Sequence, residues 1–176
     1  MRLAGSSPRR PGRYFGVFGI AVNMGSMDWR QNILTTDDAV RELLSETKRI
    51  AVLGIKPESH AGQPAFYVSK YMADTGSEII PVPVYYPEVT EILGKPVYRS
   101  LMEVPGEIDM VNVFRRSEDI PKHTADILEK KPKSVWFQLG IRNDEVAEKF
   151  ARAGIKVVQD LCLMVEHRSL MRNAAY

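Results

Sequence analysis

From about residue 28 onward, two patterns of apolar residues alternate along the chain. One pattern predicts strands and the other predicts helices. Short continuous apolar runs are typical of strands that are covered on both faces of a parallel sheet. Apolar residues three or four apart, such as Val40, Leu43 and Leu44, are typical of amphipathic helices. The predicted strands are residues 50–54, 79–84, 108–114, 134–139 and 156–159, and the predicted helices begin near residues 36, 62, 121, 143 and 161.

This alternation predicts an α/β fold, because right-handed strand–helix–strand units build a parallel sheet. We expect a Rossmann-like, doubly wound and mainly parallel sheet of about five strands, in a three-layer α/β/α arrangement. Between the second and third main strands, residues 92–96 are predicted to be extended. Residues 100–103 have a capping-box pattern for a single turn.

The first 27 residues differ from the rest of the chain in charge. They contain four arginines and no acidic residue, whereas the remainder has two more acidic than basic residues. We therefore expect a disordered leader, residues 1–27, and one domain, residues 28–176. Three interpretations of the leader stay open: a secretory signal around the apolar residues 14–22, an organelle transit peptide, and an over-extended start before Met24 or Met27.

Composition argues against several classes of protein. No run approaches the roughly 18 apolar residues that span a bilayer. The slightly acidic body lacks the concentrated positive charge of a nucleic-acid-binding protein. The single cysteine, Cys162, excludes an internal disulfide. The three histidines show no spacing with cysteine or carboxylate that indicates a metal site.

Residues that follow the predicted strands are the candidate site, because doubly wound sheets bind ligands at the carboxyl ends of their strands. These residues include one lysine, two arginines and several aromatic residues but no acid, which suits an anionic ligand with a flat ring. A pyrophosphate is expected at the amino terminus of the helix that begins near Gly62. The first loop lacks G-x-G-x-x-G, and Tyr85-Tyr86 replaces the acid that holds the ribose of NAD. Both features argue against NAD.

Several segments, in order along the chain, resemble the small stand-alone CoA-binding domain proteins, which are similar to the nucleotide-binding half of the succinyl-CoA synthetase α subunit. The resemblance covers about residues 28–170, and it implies a Rossmann-like fold, CoA as the ligand and a cytoplasmic location. The segments that carry it are A-F-Y-V-S-K-Y-M, I-I-P-V, I-L-G-K-P-V-Y-R-S-L, D-M-V-N-V-F-R-R, W-F-Q-L-G-I-R-N and D-L-C-L-M-V-E-H-R.

Carried over by position, the resemblance implies a role for each strand end. Residues 54–57 form the phosphate-side loop, Phe114 and Arg115 flank the adenine or the phosphates, and residues 138–141 line the pantetheine side. Residues 85–87 stand where relatives usually have Asn-Pro. The predicted CoA-binding residues are Gly54, Ile55, Lys56, Pro57, Gln63, Pro64, Tyr85, Tyr86, Pro87, Phe114, Arg115, Arg116, Gln138, Gly140 and Ile141.

The predicted function is binding of CoA or acyl-CoA without a catalytic centre of its own. The chain has no room for the second domain of a synthetase, and it lacks hydrolase-elbow, P-loop and kinase motifs. Two alternatives stay open, a small NAD(P)-dependent oxidoreductase and a subunit of an acyl-CoA ligase-like complex. We expect neither nucleic acid nor membrane as a partner, and a homo-oligomer or a ligase-type partner subunit stays open.

Two further groups have a structural and a chemical interpretation. We interpret Cys162 as a buried structural thiol, and the alternative is a reactive thiol that forms a mixed disulfide with CoA. We interpret Glu166-His167 as a helix-surface or structural ion pair, and the alternative is an acid/base pair.

Overall fold

A computed structural model describes residues 28–173, so the predicted leader, residues 1–27, lies outside the described residues. Strands and helices alternate along most of this region. Within it, none of the helices is long and apolar enough to cross a membrane. The strands are β1 Arg49–Leu53, β2 Glu78–Val82, β3 Glu91–Ile92, β4 Lys95–Pro96, β5 Met110–Val113, β6 Ser134–Phe137 and β7 Lys156–Val158, and the α-helices are α1 Asp37–Glu46, α2 Pro64–Asp74, α3 Thr124–Lys130, α4 Asp144–Arg152 and α5 Leu163–Asn173.

Five parallel strands form the main sheet in the order β2-β1-β5-β6-β7. The chain leaves β1 towards β2 on one side and then returns to place β5 on the other side. β1 and β5 are therefore the topological switch point, where open α/β sheets bind ligands at the carboxyl ends of the strands. This topology confirms the predicted doubly wound α/β fold.

Helices cover both faces of the sheet, so the core divides into two clusters. One cluster contains apolar residues of α3 and α4, including Ile127 and Phe150, with Val111 and Phe137 from the strands. The other contains residues of α1, α2 and α5 packed on alternate strand positions such as Trp136. The predicted α/β/α layering is present, and it explains why the strands have continuous apolar sequences.

The segment between β2 and β5 differs from the sequence expectation. Residues 92–96 were expected to be extended, but they turn back as an antiparallel hairpin of β3 and β4. Leu93 and Gly94 have φ of 53° and 67°, as a tight two-residue hairpin turn requires at both central positions. The helix predicted from about residue 121 also begins differently. A 3-10 helix, Ser117–His123, contains Pro121 and precedes α3.

Candidate functional site

The loops that leave β1, β5 and β6 enclose a cleft of about 480 Å³, which we call the strand-exit cleft. It lies at the switch point between β1 and β5, and the first two turns of α2 form one wall. A cleft of this size is typical of small-molecule sites. It is lined by Lys56, Gln63, Pro64, Ala65, Tyr67, Val68, Phe114, Arg115, Arg116, Gln138, Leu139, Gly140, Ile141 and Cys162.

Gly54 allows the chain segments that follow β1 and β5, which we call the β1 and β5 exits, to approach each other closely. Its φ is +88°, and a Cβ atom at this position would lie 2.5 Å from the carbonyl oxygen of Phe114 and 3.1 Å from Cδ of Arg115. The Gly54 amide donates to the carbonyl of Val82 at 2.9 Å, and the Phe114 amide donates to the carbonyl of Leu53 at 2.9 Å. The end of β1 thus sets the position of the Phe114–Arg115 backbone beside the cleft.

Arg115 is a nearly buried cation in the wall of the cleft, since its side chain is only 10% exposed. Its Nη2 lies 3.6 Å from Oδ2 of Asp119 and donates to Oη of Tyr85 at 3.5 Å. Its guanidinium carbon lies 5.2 Å from the centre of the Tyr85 ring. The buried Nε has no acceptor among the described residues. Both contacts of Nη2 are long, so an anionic ligand in the cleft could replace them with stronger hydrogen bonds.

The charge of Arg115 also acts on its neighbours. Its hydrogen bond and positive charge lower the pKa of the Tyr85 hydroxyl. A hydrogen bond from Lys122 lowers the pKa of Asp119, and the charge of Arg115 adds to this effect. Burial lowers the pKa of His123, and Arg115 lowers it further. Arg115 thus shifts the titration of all three neighbours towards their less positively charged forms.

Lys56 provides a second cation at the opposite side of the switch point. Its ammonium group donates to Oε1 of Gln63, the residue that precedes α2. The Gln63 side chain makes no capping hydrogen bond to the helix, and Pro64 occupies its first turn. The first amides of a helix have no intrahelical acceptor, and the helix dipole places partial positive charge there. Lys56 and the start of α2 together favour a phosphate.

The β6 exit is held by a buried amide pair. Nε2 of Gln138 donates to Oδ1 of Asn112 at 2.8 Å, and the Leu163 amide donates to Oε1 of Gln138 at 3.4 Å. Gln138 is only 4% exposed. Its side chain is engaged within the protein, so it supports the wall of the cleft and connects β5, β6 and the start of α5.

Comparisons with known proteins agree with this fold. The sequence profile described as a CoA binding domain matches residues 48–168. This chain belongs to that family. The family resemblance expected from the sequence is therefore confirmed.

The relatives of this CoA-binding-domain protein are matched over at least nine-tenths of their own length and over about three quarters of this chain. It is 41% identical over 128 residues to the uncharacterized protein YneT of Bacillus subtilis, covering 73% of this chain and 91% of YneT. A solved structure from Thermus thermophilus, cell-free ID.343, is 36% identical with a TM-score of 0.70, covering 77% of this chain and 99% of that one. A hypothetical protein from Pyrococcus horikoshii OT3 is 32% identical with a TM-score of 0.70, covering 78% and 93%.

Nine of the fifteen residues predicted to bind CoA line the cleft of this CoA-binding-domain protein. The side chains of Ile55 and Pro57 are buried behind the loop, and Ile55 packs in the core. Residues 85–87 follow the edge strand β2 and lie outside the cleft lining, where Tyr85 contacts Arg115. The nine are Lys56, Gln63, Pro64, Phe114, Arg115, Arg116, Gln138, Gly140 and Ile141. Their contact with a ligand stays a prediction.

Sequence reasoning left Tyr67 out of the site and included Leu139 only within residues 138–141. Both side chains line the cleft and are 41% and 69% exposed. Both have a sequence signal: Tyr67 lies in the first turn of a helix at the switch point, and Leu139 directly follows a predicted strand end. Cys162 was interpreted as a buried structural thiol, but it is partly exposed and lines the cleft.

The remaining chemical candidates are separate from the cleft lining. Nδ1 of His167 lies 3.1 Å from Oη of Tyr71, which joins α5 to α2, and burial lowers the pKa of His167. Among residues 28–173, no group of three or more histidine, cysteine, aspartate or glutamate side chains is placed to hold a metal ion.

Proposed function

We propose that this chain binds CoA or an acyl-CoA in the strand-exit cleft and has no catalytic centre of its own. Membership of the CoA binding domain family supports CoA as the ligand class. The observation that carries the proposal is Arg115, a cation nine-tenths buried in the cleft wall whose Nη2 makes only long contacts, at 3.5 Å to Tyr85 and 3.6 Å to Asp119. A buried cation with such weak partners is stabilised by an anion, and phosphates are the anions of CoA.

Different residues of the cleft suit different parts of such a ligand. Lys56, Arg115 and the start of α2 take the phosphates, because they provide positive charge and free donors around the switch point. The exposed ring of Tyr67 provides a flat apolar surface for a base. Leu139 and Ile141 at the β6 exit form an apolar wall that suits the pantetheine arm.

The side chains of the cleft support binding more than catalysis. Among the described residues that line it, none is a carboxylate or an imidazole, the groups most often used for general acid–base chemistry. A binding protein needs cations and apolar surface, and the cleft provides both. The cytoplasmic location implied by the resemblance stays a prediction.

Calorimetric titration of the full chain with CoA, acetyl-CoA, NAD and NADPH under reducing conditions tests the proposal. We expect CoA and acetyl-CoA to bind at least tenfold more tightly than either nicotinamide dinucleotide. Tighter binding of NADPH than of CoA would overturn the proposal in favour of the oxidoreductase alternative. Absence of binding by both CoA species would also overturn it.

A further inference from the structure

The loop between β1 and α2, residues 54–63, contains Lys56 and Gln63 of the proposed phosphate site, and it also contains one acid. That acid is Glu58, which is exposed and begins a 3-10 turn, Glu58–His60. A carboxylate in such a loop disfavours a phosphate, because like charges repel each other. Any contribution of Glu58 to ligand binding must therefore come from something other than its charge.

The Glu58 side chain contacts the hairpin of β3 and β4. Its Oε1 accepts from the Leu93 amide at 2.8 Å, and among residues 28–173 no lysine or arginine forms an ion pair with it. A second contact joins the same turn to the loop after β2, where Oη of Tyr86 lies 3.4 Å from Nε2 of His60 and the two ring centres are 5.2 Å apart. These four residues are not part of the cleft lining, so they can act on a ligand only through the loop.

The partners of this turn are themselves held in place. Ile92, which precedes Leu93, is fully buried in the core. The left-handed φ of 53° at Leu93 belongs to the tight hairpin turn that presents its amide. The guanidinium group of Arg99 donates to three backbone carbonyls within residues 86–89. The hairpin and the loop after β2 therefore form a fixed support for the turn that begins at Glu58.

Backbone hydrogen bonds connect this turn to the polar residues of the phosphate site. The His60 amide donates to the carbonyl of Pro57 at 2.9 Å, and the Gln63 amide donates to the carbonyl of His60 at 2.9 Å. The Gln63 side chain accepts from the ammonium group of Lys56. A displacement of the turn would therefore move Lys56 and the residue that precedes α2 relative to the rest of the cleft.

We propose that Glu58 is a positioning residue for the phosphates of CoA, an inference that rests on the proposed CoA binding. Its hydrogen bond to Leu93 fixes the loop, so Lys56 and Gln63 are in place before the ligand binds and less conformational entropy is lost on binding. This role requires a hydrogen-bond acceptor at position 58 but no negative charge. A purely electrostatic role depends on the charge alone, and its removal would then strengthen the binding of an anion whatever side chain replaces it.

Calorimetric titration of the full chain with CoA compares Glu58→Gln with Glu58→Ala. Both variants remove the charge, but only glutamine keeps an oxygen that can accept from the Leu93 amide. We expect Glu58→Ala to bind CoA about three- to tenfold more weakly than Glu58→Gln, which is the range for one typical hydrogen bond. Equal affinity of the two variants would overturn the proposal, whether both bind CoA more tightly than the unchanged protein or not.

Two controls separate positioning from a general effect of the substitutions. Glu148 pairs with Arg152 on α4 and does not line the cleft, so Glu148→Gln and Glu148→Ala should bind CoA equally well. In a protein that already carries Lys56→Ala, the difference between the two Glu58 variants should shrink, because the loop no longer positions a cation. A difference of the same size in both backgrounds would also overturn the proposal.

The unchanged protein distinguishes the failure of this proposal from the failure of CoA binding. If the unchanged protein binds CoA and the two Glu58 variants bind it equally well, the positioning role is refuted and CoA binding stands. If the unchanged protein does not bind CoA, both proposals are refuted.

Discussion

Replacement of Gly54 with alanine tests the closeness of the β1 and β5 exits. Two effects add at this position. The φ of +88° is left-handed, which is unfavourable for alanine by roughly 1–2 kcal/mol. The new Cβ would lie 2.5 Å from the Phe114 carbonyl oxygen, so backbone must move, and overpacking of this kind is unfavourable by about 1–3 kcal/mol. We therefore expect Gly54→Ala to lower the free energy of unfolding by about 2–5 kcal/mol.

Urea unfolding at 25 °C, followed by circular dichroism, measures this loss. Two control variants separate its causes. Gly76 has φ of +98°, and no atom lies within 4 Å of the position that an alanine Cβ would take, so Gly76→Ala should show only the backbone effect of roughly 1–2 kcal/mol. Gly62 has neither a positive φ nor a close neighbour, and Gly62→Ala should show little change. A loss at Gly54 no larger than at Gly76 would refute the argument from close approach.

Two further predictions concern charge. Lys56→Ala and Arg115→Ala should each weaken CoA binding by about 1–3 kcal/mol, or roughly 5–150-fold in Kd. Calorimetry measures this change, and Arg41→Ala on α1 serves as the control. Unchanged affinity in both variants would contradict the anion site. Burial lowers the pKa of His123 in the folded protein. The neutral His123 side chain therefore contributes to the free energy of unfolding above the unfolded pKa of about 6.5. This contribution is lost as the pH falls towards the lowered pKa of the folded protein. Urea unfolding at a series of pH values should show that the free energy of unfolding declines less steeply below pH 7 for His123→Gln than for the unchanged protein. Part of the remaining decline is due to His167, whose pKa is also lowered by burial. An equally steep decline in both proteins would contradict this reasoning.

Most of the fold was predictable because its helices and strands have local signals that agree with their packing. The strands have continuous apolar sequences since helices cover both faces of the sheet, and Asn143 caps α4 through its side chain at 3.1 Å from the Val146 amide. The hairpin of β3 and β4 had no such signal. Its turn requires a left-handed conformation at Leu93, which a leucine in a sequence does not indicate.

The sequence predicted mainly those site residues that follow the ends of predicted strands. Lys56, Arg115 and Ile141 follow strands that meet at or beside the switch point, so the topological rule places them together. The same rule named Tyr85, but β2 is the edge strand, so its carboxyl end lies one strand away from the switch point and Tyr85 lies outside the cleft lining. Cys162 was interpreted as a buried structural thiol because it lies several residues beyond the end of β7 and has apolar neighbours, a pattern that fits a buried helix start.

Lys56 and Arg115, two of the three cations that line the cleft, have weak partners, so a ligand can replace these contacts easily. Lys56 donates to a neutral amide oxygen of Gln63. Arg115 meets Oδ2 of Asp119 only at 3.6 Å, whereas Lys122 contacts Oδ1 of the same carboxylate at 2.6 Å. A strong ion pair would compete with a phosphate, whereas fully unpartnered cations would destabilise the unliganded fold. Weak partners hold both side chains in place, so little conformational entropy is lost when a phosphate replaces these contacts.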